Sequence, residues 1–226
     1  SWAIGQLFAA VPTALRSRAE RALHAAASAR PAALDGRAIA ASVHALATAA
    51  VRPSRASWLG LQERLAILLP DAAAFTPQDV SNLLWAIARL ALPLSPPLHA
   101  ALCHHLPPFF GAFKPIELSA ATWALARLDG LASADRPDTP PEESPLVAAA
   151  HSALSRVGAR AFNAHATANV IWGLAKIRPR PPAPLVASLL ARAHETAPEL
   201  SPQGAANLCS ACARLAGVDE LPLRPL

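Results

Sequence analysis

The stretch FTPQDVSNLLWAIARLAL, residues 75–92, decides how this chain folds. Thr76 ahead of Pro77 reads as a helix N-cap followed by proline in the first turn, where a missing N–H costs nothing. Beyond it Val80, Leu83, Leu84, Ile87 and Leu90 gather on one side of a helix turning about 100° per residue, the side that must meet other helices. On the opposite side Gln78, Asn82, Trp85 and Arg89 form a polar and aromatic stripe.

The same phrase recurs outward in both directions. LDGRAIAASVHALATAAV from Leu34, FKPIELSAATWALARLDG from Phe113, FNAHATANVIWGLAKIRP from Phe162 and LSPQGAANLCSACARLAG from Leu200 align with it without gaps. Counted through Leu34, Phe75, Phe113, Phe162 and Leu200, the spacings are 41, 38, 49 and 38 residues, so the unit is 38 residues with insertions. The longest spacing holds LASADRPDTPPEE, a proline-rich acidic stretch with the character of an exposed loop. Trp2 fits the column of Trp85, Trp123 and Trp172, which makes SWAIGQLF the tail of a preceding copy. LPLRPL at the other end resembles the start of another unit, so the expectation is of further repeats beyond both ends or of partner surfaces that cover them.

Each such helix, here helix B, is preceded by a second amphipathic segment, helix A, as in PPLHAALCHHL and PPAPLVASLLARAH. Proline pairs at 96–97, 107–108, 140–141 and 181–182 punctuate the chain instead of breaking its helices. Abundant Ala and Leu with few Gly and no Tyr favour helices over sheets. Neither helix of a pair can bury its apolar stripe alone, and stacking the pairs buries both. The expected fold is therefore all-α, a right-handed α-solenoid of stacked helix pairs with about five repeats plus a truncated one at the N-terminus. The units run 1–12 (the truncated tail), 13–53, 54–93, 94–130, then the acidic loop 131–143, 144–179, 180–217, and 218–226 (the start of a further unit). LRSRAERALHAAASAR has the Arg, Ser and Ala bias of a transit peptide but fits better as helix A of the first full unit.

Formal charge is +5, and the acidic loop conceals part of it. Taking its four carboxylates and one arginine away from 15 acidic and 20 basic residues leaves 11 against 19 on the helical body. Such a body leans toward polyanions. Arg89, Arg127, Lys176 and Arg214 fall in one column of helix B, a ladder that a phosphate backbone could use. The polar residues of helix A vary between units, among them Arg64, His104, His105, Arg156 and Arg192. Variable positions on a fixed scaffold are where base discrimination is expected. The competing reading of the Trp and Asn columns is contact between neighbouring repeats, and that of the basic column a solvated face.

The 38-residue period, PQDVSNLLWAIARL with its variants ATWALARL and NVIWGLAKI, and the proline pairs ahead of helix A resemble the octotricopeptide repeat family. The resemblance covers nearly the whole chain, and the first and last copies depart from it with His44, Thr48 and Ser210. It implies a nucleus-encoded protein of green-algal mitochondria or chloroplasts that binds organellar RNA in transcript stability, processing, splicing or translation. Some members are built into mitochondrial ribosomes.

Other constellations carry little. No glycine-rich phosphate loop, nucleophile elbow or HExxH occurs. Cys209 and Cys212 form a lone CxxC whose columns match Leu84 and Ile87, so both are expected as buried core thiols, and three cysteines without a framework suit a reducing compartment. Cys103, His104 and His105 are consecutive on a helix and cannot chelate one ion together. No run is long and apolar enough to span a membrane. The expectation is a non-enzymatic protein with no cofactor, metal, membrane or small-molecule partner. It binds single-stranded or ribosomal RNA through Arg89, Arg127, Lys176 and Arg214, with Arg64, His105, Arg156 and Arg192 on helix A. It stands beside other subunits of a ribonucleoprotein such as the mitochondrial ribosome, with the chloroplast as the alternative location. The alternatives in function are a transcript-specific factor and a solenoid that grips protein and never touches RNA.

Overall fold

The structure, a computed structural model, describes residues 34–128, 144–177 and 180–215. Among these residues every regular element is helical. In chain order they are α1 (Gly36–Thr48), α2 (Arg55–Leu68), α3 (Pro77–Arg89), α4 (Pro96–His105), α5 (Pro107–Phe110), α6 (Pro115–Leu125), α7 (Pro145–Val157), α8 (Ala164–Leu174), α9 (Ala183–Glu195) and α10 (Pro202–Leu215). The expected B helices are α1, α3, α6, α8 and α10, and the expected A helices are α2, α4, α7 and α9. Single 3-10 turns at Ala72–Ala74, Ala159–Ala161 and Ala197–Glu199 lead from helix A into helix B, an element the period did not predict. The expected repeat tail 1–12, helix A of the first repeat, the acidic loop and the fragment 218–226 lie outside the described residues.

The chain divides between Phe109 and Phe110 into two compact units. The division falls inside the expected repeat 94–130, with α4 in the first unit and α6 in the second. In the first unit α1 and α3 lie side by side, and α2 packs against α1 and α4. Ile39 and Val43 of α1 and Leu83, Leu84 and Ile87 of α3 lose all exposure, as do Leu98 and Leu102 of α4. Each such side chain stabilises the fold by roughly 1.5–3 kcal/mol over leaving it in water. The whole stripe read from Val80 to Leu90 is buried. Gly36 is required by contact: a Cβ there would stand 2.6 Å from the Phe75 ring and from the Ala74 carbonyl oxygen.

In the second unit α6, α8 and α10 lie side by side, with α7 against α6 and α9 against α8. The approach of α6 to α8 is close. A Cβ on Gly173 would meet the Thr122 carbonyl oxygen at 2.9 Å and its methyl at 3.0 Å, and Ser119 Oγ donates across the pair to Ala166 O at 3.3 Å. Phe113 and Phe162, each just before a B helix, are buried beneath these elements.

The helix starts follow the sequence. Asp35 accepts from Ala38 N at 2.7 Å, Asn163 from Ala166 N at 2.9 Å, and Thr76 with Asp79 closes a reciprocal capping box. Lys114 supplies no side-chain cap. There Glu117 reaches back to accept from Lys114 N at 2.8 Å. The helix ends were not legible: Ala50 and Ala91 follow α1 and α3 with φ of 54° and 47°, left-handed positions that glycine normally fills. The Val51 N to Leu46 O bond of 2.9 Å and the Leu92 N to Ile87 O bond of 3.0 Å close each end.

One core assignment is corrected. Cys209 is exposed and Cys212 half-buried, although Leu84 and Ile87 in the same columns are fully buried. α10 is the last described helix, and only α8 packs against it among the described B helices, so this part of its surface has no described helix over it. Burial raises the Cys212 thiol pKa above its ordinary value, with Cys209 adding to the shift.

Two substitutions test these ends and contacts. Ala91→Gly relieves the left-handed strain at an exposed position and is expected to stabilise the protein by about 1 kcal/mol, read as a higher urea midpoint with an unchanged slope. Gly173→Ala forces α6 and α8 apart and is expected to destabilise by about 1–3 kcal/mol in the same measurement.

Candidate nucleic-acid interface

Packing the apolar stripes inward leaves the opposite stripe of each B helix facing solvent. In the first unit α3 carries Gln78, Asn82, Trp85 and Arg89 there, with Gln78 and Arg89 exposed and Asn82 and Trp85 half-buried. In the second unit α8 carries His165, Asn169 and Trp172, with Lys176 in the turn that follows it, and α10 carries Gln203, Asn207, Ser210 and Arg214. α6 carries Ile116, Ala120 and Trp123, with Arg127 in the turn that follows it and Ile116 59% exposed, so an apolar side chain stands in solvent where α3, α8 and α10 hold a polar one. No carboxylate occurs at any of these positions.

The aromatic and basic columns are four residues apart, one above the other on the helix, and the side chains meet. Arg89 Cζ lies 5.6 Å from the Trp85 ring centroid, Arg127 Cζ 4.9 Å from Trp123, and Lys176 Nζ 4.3 Å from Trp172. Each contact contributes about 0.5–1 kcal/mol at an exposed site. The rings also touch along the columns. His44 and Trp85 centroids are 5.2 Å apart in the first unit, and Trp123 and Trp172 are stacked at 6.3 Å in the second. The contact between repeats expected of the Trp column is therefore present, and the same rings hold the basic column. The tryptophans brace their cations, which remain exposed on the helix surface. The sequence signal was available in the four-residue offset between the columns.

The amides pair as well. Asn169 Nδ2 lies 3.1 Å from His165 Nε2, and Gln203 Nε2 donates to Asn207 Oδ1 at 3.0 Å. Each of these stripes thus presents a bonded polar pair near the helix N-terminus and a cation near its C-terminus.

The helix A residues stand elsewhere and make different bonds. Arg64 Nε donates to Leu34 O at 3.1 Å, and Arg192 Nε donates to Phe162 O at 2.9 Å. Both acceptors are the first residue of an aligned copy, so helix A of one unit grips the backbone just ahead of the previous helix B. Arg192 also pairs with Glu195 at 3.1 Å, and Arg156 Nη2 donates to Gly111 O at 2.5 Å. These arginines tie repeats together, a role that the variability of helix A did not disclose. His105 is half-buried in the last turn of α4 with its ring edge-on to His104 at 4.7 Å. Cys103 Sγ is 4.0 Å from His99 Nδ1, and no three metal-type side chains converge among the described residues. No described helix is long and apolar enough to cross a membrane. No protein-family model and no curated protein matches the chain.

His44 occupies the ring column where other units have Trp, and burial lowers its pKa below the ordinary value of 6.5. The neutral imidazole is favoured in the fold, so its contribution to stability is complete above pH 6.5 and is lost as the pH falls through 6.5 toward the lowered value. The His44 ring protons are expected to titrate with a midpoint below 6.5 by nuclear magnetic resonance, and His44→Phe to flatten the loss of stability in that window.

Proposed function

We propose that this chain is a non-catalytic RNA-binding protein of an organelle, belonging to the octotricopeptide repeat proteins. The helix pairs form part of a right-handed α-solenoid. The observation that carries the reading is the exposed cation at the corresponding position of successive B helices, Arg89 in the first unit and Arg127, Lys176 and Arg214 in the second. Three of them are braced by a tryptophan four residues earlier in the chain. Cations held in place at intervals set by helix packing suit the repeated charges of a phosphodiester backbone, and less ordering entropy is lost on binding than for free side chains. The 38-residue period and the phrases around Trp85, Trp123 and Trp172 support the family, and the family supports a structural place in a ribonucleoprotein. The mitochondrial ribosome is the leading case, with the protein holding ribosomal RNA beside neighbouring subunits. A transcript-specific factor in mitochondrion or chloroplast uses the same face.

The test is direct. Full-length protein and the fourfold variant Arg89→Ala, Arg127→Ala, Lys176→Ala, Arg214→Ala are titrated with a single-stranded RNA over a series of salt concentrations. The variant is expected to bind more weakly, and its log–log salt slope to be shallower by up to about 0.7 for each phosphate contact removed. An unchanged affinity and slope would make the column a solvated face and leave the protein-gripping solenoid in its place. Ultraviolet crosslinking in the organelle then separates a ribosomal component, with reads in ribosomal RNA, from a factor with reads on one or a few messages.

A further inference from the structure

The cations account for affinity toward any polyanion, and the polar pairs one to two turns away along the same helices have no part in that. His165 with Asn169 on α8 and Gln203 with Asn207 on α10 are hydrogen-bonded pairs, at 3.1 and 3.0 Å, on the face that carries Lys176 and Arg214. His165 and Gln203 are exposed, and Asn169 and Asn207 are half-exposed. Each bond fixes the plane of an asparagine amide while leaving hydrogen-bonding capacity to spare. Asn169 keeps its carbonyl oxygen and a second N–H, and the Gln203–Asn207 pair keeps the Gln203 carbonyl oxygen and the Asn207 N–H groups. On Asn169 a donor beside an acceptor in one amide plane matches the N6 amino group and N7 of adenine, the edge that asparagine and glutamine recognise in nucleic acids, and the Gln203–Asn207 pair offers the same two kinds of group from neighbouring amides.

Position agrees with chemistry. Asn169 precedes Lys176, and Asn207 precedes Arg214, by seven residues, about 10 Å along the helix axis, a span one nucleotide covers from phosphate to base edge. The helix A arginines Arg64, Arg156 and Arg192 already hold backbone carbonyl groups, whereas the amides on the B helices keep hydrogen-bonding groups open to a base. On α6 the two corresponding positions are Ile116 and Ala120, which can form no side-chain hydrogen bond, although Arg127 is retained below them.

We infer that the pairs His165–Asn169 and Gln203–Asn207 select adenine in a single-stranded RNA laid across α6, α8 and α10, with α6 accepting any base. The occupant is RNA because the face joins three exposed cations to planar amides and carries no carboxylate. The assignment rests on the RNA-binding reading above, and the following comparison separates the two.

Fluorescently labelled adenine and uracil 12-mers are titrated with the full chain at one fixed salt concentration and over a salt series. The adenine oligomer is expected to bind about tenfold more tightly. In the double variant Asn169→Ala, Asn207→Ala the ratio falls to near one, while uracil binding and its salt slope stay as they were. A variant carrying Ile116→Gln and Ala120→Asn, which rebuilds a pair on α6, raises the ratio above that of the unaltered protein. Equal binding of the two oligomers with a steep salt slope overturns adenine selection and leaves RNA binding standing, as does a preference that survives the double variant. Failure to bind either oligomer removes the RNA-binding reading and the selection with it.

Discussion

The side-by-side approach of neighbouring B helices is the contact on which the rest of the structure depends. α6 and α8 come so near that Gly173 has no room for a methyl group against Thr122. The same column holds Ala86, Ala124 and Ala211, all buried. A larger residue at Gly173 would separate the backbones of α6 and α8, and a densely packed interior loses dispersion contacts steeply when gaps open. Small residues in this column therefore set the spacing between units, and that spacing determines how far apart the side chains on the outer face stand. The stacking of Trp123 on Trp172 follows from it.

The outer face then obeys the helix it is built on. The first aligned copy has Thr48 fourteen residues beyond its start, but in the four later copies that position is a cation at the C-terminal end of its helix, where exposed carbonyl groups favour positive charge by roughly 0.3–1 kcal/mol. The same offset places it one turn from the tryptophan, so helix dipole and ring quadrupole act on one side chain. In α10 Ser210 stands at the ring position four residues before Arg214. On α3 and α8 the face is graded along the helix, with polar residues first, the ring at the middle and the cation last.

Much of this was legible because it is periodic. The stripe from Val80 to Leu90, the caps at Thr76 and Asn163, and the phenylalanines ahead of α3, α6 and α8 depend on local spacing, and the structure follows that spacing. What could not be read depends on the path of the backbone between helices. Nothing local distinguishes Ala91, forced to a positive φ, from the alanines beside it. Arg64 and Arg192 looked like free surface charges because their acceptors lie 30 residues back in the chain. Cys209 looked buried because column logic assumes a neighbour on both sides, and a described helix covers only one. For the candidate face, the cations were visible in sequence as a column, but the ring beneath three of them was visible only as an unused four-residue offset.

The braced cations have an optical consequence. The chain has five Trp and no Tyr, so its near-ultraviolet emission comes from indole. Trp85, Trp123 and Trp172 each lie beneath a positive charge four residues further along the chain. A charge that close to an indole biases the energy of its excited state, and any event that draws the cation away or neutralises it alters the emitted light. The protein thus carries a built-in chromophore for the occupancy of its charged face, readable without a label.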